Sequence, residues 1–427
     1  MWTPLRIAAQ VRVAVVGAGI AGLAAAHRLD PQCDVVLFEA EQRAGGHAHT
    51  VVAGGHALDS GFVVCNERNY PIFLALVQEL GIGLRPSSMS FSVRCERCDL
   101  EFSGHGLGGL FAQRRNLVRP SFARLLLDLG RFFRNARAVL DDPEGDRITI
   151  GEFLERGRYG RYGRGLTDHF LAPMGAAIWS SSPARMQEMP ARFFVRFFDN
   201  HGLLGVRDAP QWYTIEGGSQ SYVNALCARL RGRVALGAPV RSVRRQDGGV
   251  EVSAADAAPD RFDRVILACH PDQALALLAD PSDDERDALA RLPYASNETV
   301  LHTGDALLPR RVAARAAWNV ALADCRGHDR PVSVTYSLNR LHAFSDPREY
   351  CVSLNQSSRI DERDVIARMT YEHPLYTLDS VAARERLRAQ LGLRRTDYAG
   401  AYLGWGFHED GAVSGVAAAE RTLASDA

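Results

Sequence analysis

The sequence predicts an α/β fold in which a Rossmann-like domain is interleaved with a second, α+β domain. A glycine-rich turn follows a short apolar run near residue 17, and similar strand and helix patterns return near residues 215 and 397. The length of 427 residues also exceeds what one ordinary hydrophobic core accommodates. The chain is therefore expected to leave the Rossmann-like domain and return to it twice.

The first predicted unit is a strand, a tight turn and a helix. Val13–Val16 is apolar, a six-residue segment with three glycines follows, and an alanine-rich amphipathic run continues to Leu29. The first glycine permits the turn, the second lets the backbone approach a pyrophosphate at the helix N-terminus, and the third permits close packing of helix on strand. The flanking elements disfavour the alternative, a glycine turn without a ligand. We expect cofactor binding by Gly17, Ala18, Gly19, Ile20, Ala21 and Gly22.

The second predicted strand, Val35–Phe38, ends on Glu39, seventeen positions beyond Gly22. A carboxylate at this place accepts hydrogen bonds from both ribose hydroxyls of an adenosine. The same charge repels a phosphate group on that ribose. Glu39 and the adjacent Ala40 are therefore predicted to lie at the adenosine end of a bound dinucleotide.

The strand and helix signals divide the chain into five stretches. Residues 1–90, 215–290 and 395–427 carry the pattern of the cofactor domain, and residues 91–214 and 291–394 are assigned to the substrate domain. The second cofactor stretch closes with the apolar run Val265–His270. We find neither internal repeats nor a low-complexity linker, so the two domains are expected to pack as one interleaved molecule.

Charge and hydropathy exclude several classes of protein. Fifty basic residues balance fifty acidic ones, which gives a formal net charge of zero and no electrostatic reason to expect nucleic acid binding. All fifty basic residues are arginine. No run approaches eighteen apolar residues, and the first twelve residues lack the apolar core of a signal peptide, so a cytoplasmic location is expected.

Eight cysteines are scattered along the chain, and only Cys95 and Cys98 have a suggestive spacing. A single CxxC pair lacks the second pair of ligands that a structural zinc site needs. We therefore expect reduced, ordinary thiols and no metal, with the pair at the tip of a hairpin.

The segment Arg43-Ala44-Gly45-Gly46 resembles the RxGG segment of the flavin amine oxidase and phytoene desaturase superfamily. The resemblance implies a glutathione reductase-type domain with FAD held non-covalently. It implies that Arg43, Gly45 and Gly46 line the pyrophosphate and the ribityl chain, with His47 where many members carry another arginine. It further implies that the cofactor is met by Gly61, Phe62, Val63 and Val240, and at the flavin end by Glu409, Asp410, Gly411, Ala412 and Val413.

Four longer stretches are similar to one bacterial subgroup of this superfamily: LDSGFVVCNERNYPIFLALVQELGI, RFFVRFFDNHGLL, PQWYTIEGGSQSYVNAL and GFHEDGAVSG. Members are commonly encoded beside cyclopropane-fatty-acyl-phospholipid synthase-like methyltransferases, and the subgroup includes desaturases of methylated and furan fatty acid biosynthesis. The resemblance implies desaturation of a methylated, unsaturated acyl chain of a phospholipid, with hydride transfer to flavin N5. The alternatives are a desaturase or isomerase of another polyene lipid such as a carotenoid, an amine oxidase, and a non-catalytic flavin-binding partner of a lipid methyltransferase.

Candidate catalytic residues are chosen because they adjoin the flavin motifs. His49, Glu67 and His408 are candidate bases, with a structural hydrogen-bonding role as the alternative for each. Tyr402 and Trp405 are candidates to flank a substrate, or else to pack beside the flavin. Many flavin amine oxidases in the superfamily hold a water against flavin N5 with a lysine. The absence of lysine here disfavours oxidation of an amine.

Residues 120–140 are predicted to form an amphipathic helix. One apolar stripe is formed by Phe122, Leu125, Leu126, Leu129, Phe133, Ala136 and Leu140. Arg124, Asp128 and Arg131 are placed on the opposite face. The pattern suits a helix that lies on an anionic membrane surface, and equally an ordinary helix packed on the substrate-domain core.

Overall fold

The structure is a computed structural model that describes residues 10–205, 209–255, 257–326 and 333–425. In chain order, the strands in these residues are β1 (Arg12–Val16), β2 (Asp34–Phe38), β3 (Thr50–Ala53), β4 (His56–Asp59), β5 (Cys65–Asn66), β6 (Leu84–Ser87), β7 (Phe91–Cys95), β8 (Leu100–Ser103), β9 (Trp212–Ile215), β10 (Arg233–Ala235), β11 (Val240–Gln246), β12 (Gly249–Ala254), β13 (Asp260–Phe262), β14 (Arg264–Leu267), β15 (Tyr294–Thr303), β16 (Trp318–Leu322), β17 (Ser333–Ser337), β18 (Tyr350–Leu354), β19 (Val365–Pro374) and β20 (Thr396–Tyr398).

The α-helices in the same residues are α1 (Ile20–Leu29), α2 (Pro71–Glu79), α3 (Gly106–Leu110), α4 (Pro120–Asn135), α5 (Ile150–Glu155), α6 (Arg164–Leu166), α7 (Ala172–Trp179), α8 (Pro183–Gln187), α9 (Ala191–Asn200), α10 (Gln220–Arg229), α11 (Pro271–Leu277), α12 (Asp283–Ala290), α13 (Leu338–Leu341), α14 (Leu378–Arg388) and α15 (His408–Ser425). A π-helical segment, Thr167–Leu171, joins α6 to α7. No helix of the described residues is long and apolar enough to cross a membrane.

The cofactor domain is built on a five-stranded parallel sheet with the order β10-β2-β1-β14-β20. Its strands come from three separated parts of the chain, and the predicted α/β class is confirmed. The strands are apolar runs because both faces of the sheet are covered, one by α1, α10 and α15 and the other by the three-stranded sheet β11-β12-β13 with α11 and α12. Helices α1 and α15 pack closely, since a Cβ atom on Gly415 would lie 2.1 Å from the carbonyl oxygen of Ala21.

The second layer is a seven-stranded sheet with the order β19-β15-β18-β17-β16-β7-β8. Strands β7 and β16 pair in parallel, and the other neighbours pair antiparallel. Helices α4 to α9 pack on the β16-β7-β8 end, where their phenylalanines form one hydrophobic core with the sheet. Strand β19 lies at the opposite edge and reaches the cofactor domain, because the ring of Tyr371 stacks on that of His47.

Helix α4 buries the apolar stripe that the sequence offered as a membrane-docking surface. Phe122 and Leu125 are buried in the substrate-domain core, and Leu126, Leu129 and Phe133 pack against it. Asp128, which the sequence placed on the polar face, is also buried, between the guanidinium groups of Arg124 and Arg131. The stripe is therefore core packing, and these side chains are not free to enter a bilayer.

Candidate functional site

The glycine-rich turn between β1 and α1 has the geometry of a phosphate-binding turn. Gly17 has a φ of +103°, and a Cβ atom there would lie 2.6 Å from the carbonyl oxygen of Ala268. A Cβ atom on Gly22 would lie 1.8 Å from the carbonyl oxygen of Gly17. A Cβ atom on Gly19 would meet nothing within 4 Å. The protein itself requires the first and third glycines, and the second leaves open space at the N-terminus of α1, where a pyrophosphate fits.

Glu39 lies at the carboxyl end of β2, beside this turn. Its Oε2 accepts a hydrogen bond of 2.8 Å from the backbone N–H of Ala18, and its carbonyl oxygen accepts one of 2.8 Å from Ala238. The segment that leads into Val240 therefore runs alongside Glu39 and the exposed Ala40. The residues predicted for the adenosine end lie together at one edge of the sheet.

The loop that carries Arg43 packs on the glycine turn. The Arg43 guanidinium donates hydrogen bonds of 3.0 Å and 2.9 Å to the carbonyl oxygens of Ala48 and Gly46. The Gly45 N–H donates one of 2.8 Å to the carbonyl oxygen of Ala18. A Cβ atom on Gly46 would approach Gly19 Cα to 3.3 Å. Arg43 thus fixes a loop whose two glycines permit close approach to the phosphate end of the site.

The segment from Gly61 to Val63 continues from this loop. A Cβ atom on Gly61 would lie 2.3 Å from the carbonyl oxygen of His47, and the Phe62 N–H donates a hydrogen bond of 2.8 Å to that same oxygen. Phe62 and Val63 are half-buried. The ring of Phe62 stacks on that of His408 at a centroid distance of 3.7 Å. These residues connect the Arg43 loop to the start of α15.

The N-terminus of α15 meets the N-terminus of α1. A Cβ atom on Gly411 would lie 2.7 Å from Cγ2 of Ile20, and Ala412 is buried in the same contact region. Two helix N-termini with partly positive ends therefore converge, which favours an anionic group of a cofactor. Val413 is 45% exposed and lies on the outer side of the helix.

Two acidic side chains in the first turn of α15 are engaged within the protein. The Glu409 carboxylate accepts hydrogen bonds of 2.8 Å and 2.9 Å from the N–H groups of Ile72 and Phe73, which begin α2. The Asp410 carboxylate accepts one of 2.9 Å from the Phe407 N–H, and burial raises the pKa of Asp410 to about 6. The Glu409 side chain therefore caps α2, while its place in the first turn of α15 remains the one that the sequence assigned to the flavin end.

His408 is held by neighbours in the buried interior. Its Nε2 lies 2.7 Å from the hydroxyl oxygen of Tyr222. Burial lowers the pKa of His408 to about 3 and raises the pKa of Tyr222 well above its usual value. The tyrosine is therefore the donor and the neutral histidine the acceptor. This arrangement favours the structural role for His408 over that of a base.

The other two candidate bases lie in different surroundings. His49 Nδ1 is 3.2 Å from the Tyr371 hydroxyl oxygen, and partial burial lowers the pKa of His49. Glu67 is exposed and accepts a hydrogen bond of 2.8 Å from the Gln211 N–H. The structure brings His49 to the Arg43 loop and does not bring Glu67 there.

Polar residues of the substrate domain complete the site, and sequence reasoning missed them. Tyr371, on β19, stacks on His47 at 4.8 Å, and its hydroxyl oxygen lies 2.7 Å from Ser60 Oγ. His373 Nδ1 lies 3.1 Å from Asn297 Nδ2 on the neighbouring β15. Burial lowers the pKa of His47 well below its usual value and that of His373 to about 4. No local motif marks these residues, because more than 300 residues separate Tyr371 from His47 along the chain.

An aromatic wall adjoins the start of α15. We use this name for Trp179, Phe193, Phe197, Tyr376, Trp405 and Phe407. The rings of Phe197 and Phe407 stack at 4.9 Å, those of Phe193 and Tyr376 stack at 4.5 Å, and Trp179 Nε1 donates a hydrogen bond of 3.0 Å to the Trp405 carbonyl oxygen. Within the described part of the chain, the buried Trp405 Nε1 has no hydrogen-bond partner. The side of the site next to α15 is therefore mainly apolar.

Tyr402 does not join this wall. It is 1% exposed and packs in the hydrophobic core of the cofactor domain, and a Cβ atom on Gly400 would lie 2.3 Å from its ring. Trp405 packs against the core of the substrate domain. The two aromatic residues therefore do not face one another as a cage.

The parallel sheet, the open glycine turn, the acidic end of β2 and the second helix N-terminus define a dinucleotide-binding protein. The sequence model of one family, described as flavin containing amine oxidoreductase, matches residues 20–305. The chain belongs to this family of flavin-dependent oxidoreductases, and its cofactor is FAD. The space at Gly19 and the two converging helix N-termini fit this group.

Three known proteins illustrate the relationship. "Putative flavin-containing monoamine oxidase AofH" of Mycobacterium tuberculosis is 32% identical over 285 residues, which are 64% of this chain and 59% of that protein. A fatty acid isomerase from P. acnes that produces CLA has a TM-score of 0.68 at 16% identity, over 95% and 97% of the two chains. A cofactor-binding mutant of putrescine oxidase has a TM-score of 0.72 at 16% identity, over 97% and 99%. The chain thus spans about three fifths of its relative in M. tuberculosis, and the two structures share its fold.

Proposed function

We propose that the protein is an FAD-dependent desaturase of methylated, unsaturated acyl chains carried by phospholipids. The observation that carries the proposal is the aromatic wall beside α15, whose six aromatic side chains offer a substrate mainly apolar contacts. A hydrocarbon chain needs such a lining, because burial of its methylene groups supplies the binding energy. The fold that this chain shares with a fatty acid isomerase supports the same substrate class.

When bound, FAD accepts a hydride from a substrate carbon. The aromatic side chains of the wall exclude water from the reacting carbon and hold the chain in one orientation. We assign the proton lost from the neighbouring carbon to solvent, because His49, hydrogen-bonded to Tyr371, lies at the Arg43 loop on the phosphate side of the site.

The competing function is oxidation of an amine. The similarity to the relative in M. tuberculosis favours it, because that protein is named a monoamine oxidase. Against it, no lysine exists in the chain to hold a water at the flavin. His47, His373 and His408 have lowered pKa values because of burial, which also indicates a site that disfavours a buried cation.

Anaerobic reduction of the bound flavin separates the two functions. A methylated, unsaturated phospholipid in detergent micelles should bleach the flavin absorbance, and the product should have lost two hydrogens by mass spectrometry. The same phospholipid without the methyl branch should react more slowly, and putrescine and cyclohexylamine should leave the flavin oxidised. Bleaching by an amine while both lipids stay inert would reverse the assignment.

Access to such a substrate requires a membrane surface, and we propose an anionic one. Four exposed large apolar side chains lie within one stretch of the substrate domain: Leu107, Leu117, Val118 and Leu127. Arg114 and Arg124, which are exposed, accompany them. Such apolar side chains can enter the membrane–water interface, while the arginines beside them contact anionic lipid headgroups. This surface differs from the buried stripe of α4.

A further inference from the structure

Three cysteines and one histidine converge in the substrate domain. Cys95 is the last residue of β7, Cys98 follows at the tip of the β7–β8 hairpin, and Cys325 follows β16. His169 lies in the π-helical segment between α6 and α7. One ligand atom from each residue lies within 4.8 Å of all the others, and the Sγ atoms of Cys98 and Cys325 are 3.5 Å apart.

We propose that these four residues, Cys95, Cys98, His169 and Cys325, bind a structural Zn²⁺ ion. Three thiolates and an imidazole are a ligand set that selects zinc among divalent cations. In a tetrahedral site, Zn–S bonds of about 2.3 Å and a Zn–N bond of about 2.0 Å place the ligand atoms about 3.5–3.8 Å apart. The observed separations reach that spacing with side-chain adjustments of about 1 Å.

The orientation of His169 supports a metal ligand. Its Nε2 is buried and has no hydrogen-bond partner among the residues that the structure describes. The other ring nitrogen is hydrogen-bonded to the backbone of Gly165. Histidines that ligate metals donate one ring N–H to a carbonyl or carboxylate and leave the second nitrogen unprotonated for the ion. The π-helical turn that displaces His169 from the regular helix is a frequent feature of binding sites.

The hairpin that carries Cys95 and Cys98 is shaped to hold an ion. The Cys98 N–H is hydrogen-bonded to the Cys95 sulfur, and Asp99 has a φ of +44°, which turns the chain sharply after the second cysteine. Arg119 donates hydrogen bonds to the carbonyl oxygens of Cys98 and Asp99. Three thiolates and one Zn²⁺ carry a net charge of −1, so this guanidinium balances the site.

The position of the four residues indicates a structural role. Strand β7 lies five strands from β19, which at about 4.8 Å per strand is about 24 Å from the edge that meets the cofactor domain. Four protein ligands leave no open position for a substrate. The ion would join the β7–β8 hairpin, the chain after β16 and the helical layer.

Metal content tests the proposal on the FAD-loaded protein. After dialysis against a weak chelator, elemental analysis should find about one zinc per chain and no stoichiometric iron. Cys98→Ser should lose the zinc and unfold at a lower temperature, while retaining FAD. Cys227→Ser is the matched control, since Cys227 is also half-buried but lies on α10, and it should keep both zinc and unfolding temperature.

A second measurement needs only the parent protein. Replacement of zinc by Co²⁺ should give the thiolate-to-cobalt charge-transfer absorption and the strong visible bands of a tetrahedral site. Three results would each overturn the proposal: a parent protein without zinc, a zinc content unchanged in Cys98→Ser, or a Cys98–Cys325 disulfide in freshly purified protein. Stoichiometric iron in place of zinc would overturn it as well.

Discussion

Gly19→Val should weaken FAD binding by several orders of magnitude and leave the fold intact. Gly19 has φ −72° and ψ 179°, which is extended backbone that valine adopts readily, and a Cβ atom there would meet nothing within 4 Å. The valine side chain would fill the space that the pyrophosphate needs. If two charge-assisted hydrogen bonds are lost at about 1.5–3 kcal/mol each, FAD affinity falls by about 10²- to 10⁴-fold.

FAD titration of the flavin-free protein measures this change, and a thermal unfolding scan with and without FAD measures its consequence. The parent protein should gain unfolding temperature with FAD because only the folded state binds it, and the variant should gain none. Gly104→Val is the matched control, because a Cβ atom there also meets nothing within 4 Å but Gly104 lies in the substrate domain. It should bind FAD as the parent does.

Two outcomes would refute the reasoning. Parental flavin content in Gly19→Val would mean that the pyrophosphate binds elsewhere. A variant that unfolds well below the flavin-free parent would mean that the space beside Gly19 is needed by the protein itself.

Three other predictions concern buried charge, helix capping and membrane contact. Burial raises the pKa of Asp59 to about 6 from 3.8, so its favourable contribution is complete below about pH 3.8 and is lost as the pH rises through 6. The free energy of unfolding of the parent minus that of Asp59→Asn, measured by urea titration, should therefore be about 1 kcal/mol larger at pH 5 than at pH 7, and an equal difference at the two pH values would contradict the assignment. Glu409→Ala should lower that free energy by about 1–3 kcal/mol, because it leaves two N–H groups of α2 uncapped, with FAD content as the control. Val118→Ser should weaken sedimentation with anionic vesicles by about fivefold, because it removes an exposed apolar side chain. Val52→Ser, at a similarly exposed position on β3, should leave sedimentation unchanged. Equal sedimentation of both variants would exclude the surface around Val118 as the membrane-binding surface.

The cofactor half of the site could be predicted because its requirements are local. Gly17 has a positive φ, a Cβ atom on Gly22 would meet the carbonyl oxygen of Gly17 five residues earlier, and Glu39 follows from the length of one strand–helix–strand unit. Such constraints recur at fixed spacings, so a sequence pattern reveals them. The prediction of an α/β fold that binds FAD depended on these local patterns, and it was confirmed.

The remainder of the site depends on contacts between distant segments. Glu409 is one residue from His408, yet its carboxylate turns to α2, which no spacing rule indicates. Tyr371 and His373 belong to a strand whose partner surface is more than 300 residues earlier in the chain. The periodicity of α4 correctly predicted a helix with one apolar side, but periodicity does not say whether protein or lipid covers that side.

The discontinuous parallel sheet has a consequence for how the protein is made. Val13 pairs with Arg264, and Val265 pairs in turn with Thr396, so the sheet cannot close until a ribosome has added nearly 400 residues. At about 5–20 residues per second, the glycine turn waits roughly 20–80 s for α15. A nascent or prematurely terminated chain therefore has no complete flavin pocket. Yellow colour in a preparation therefore reports translation that reached α15, and FAD supply during expression acts on chains that already contain it.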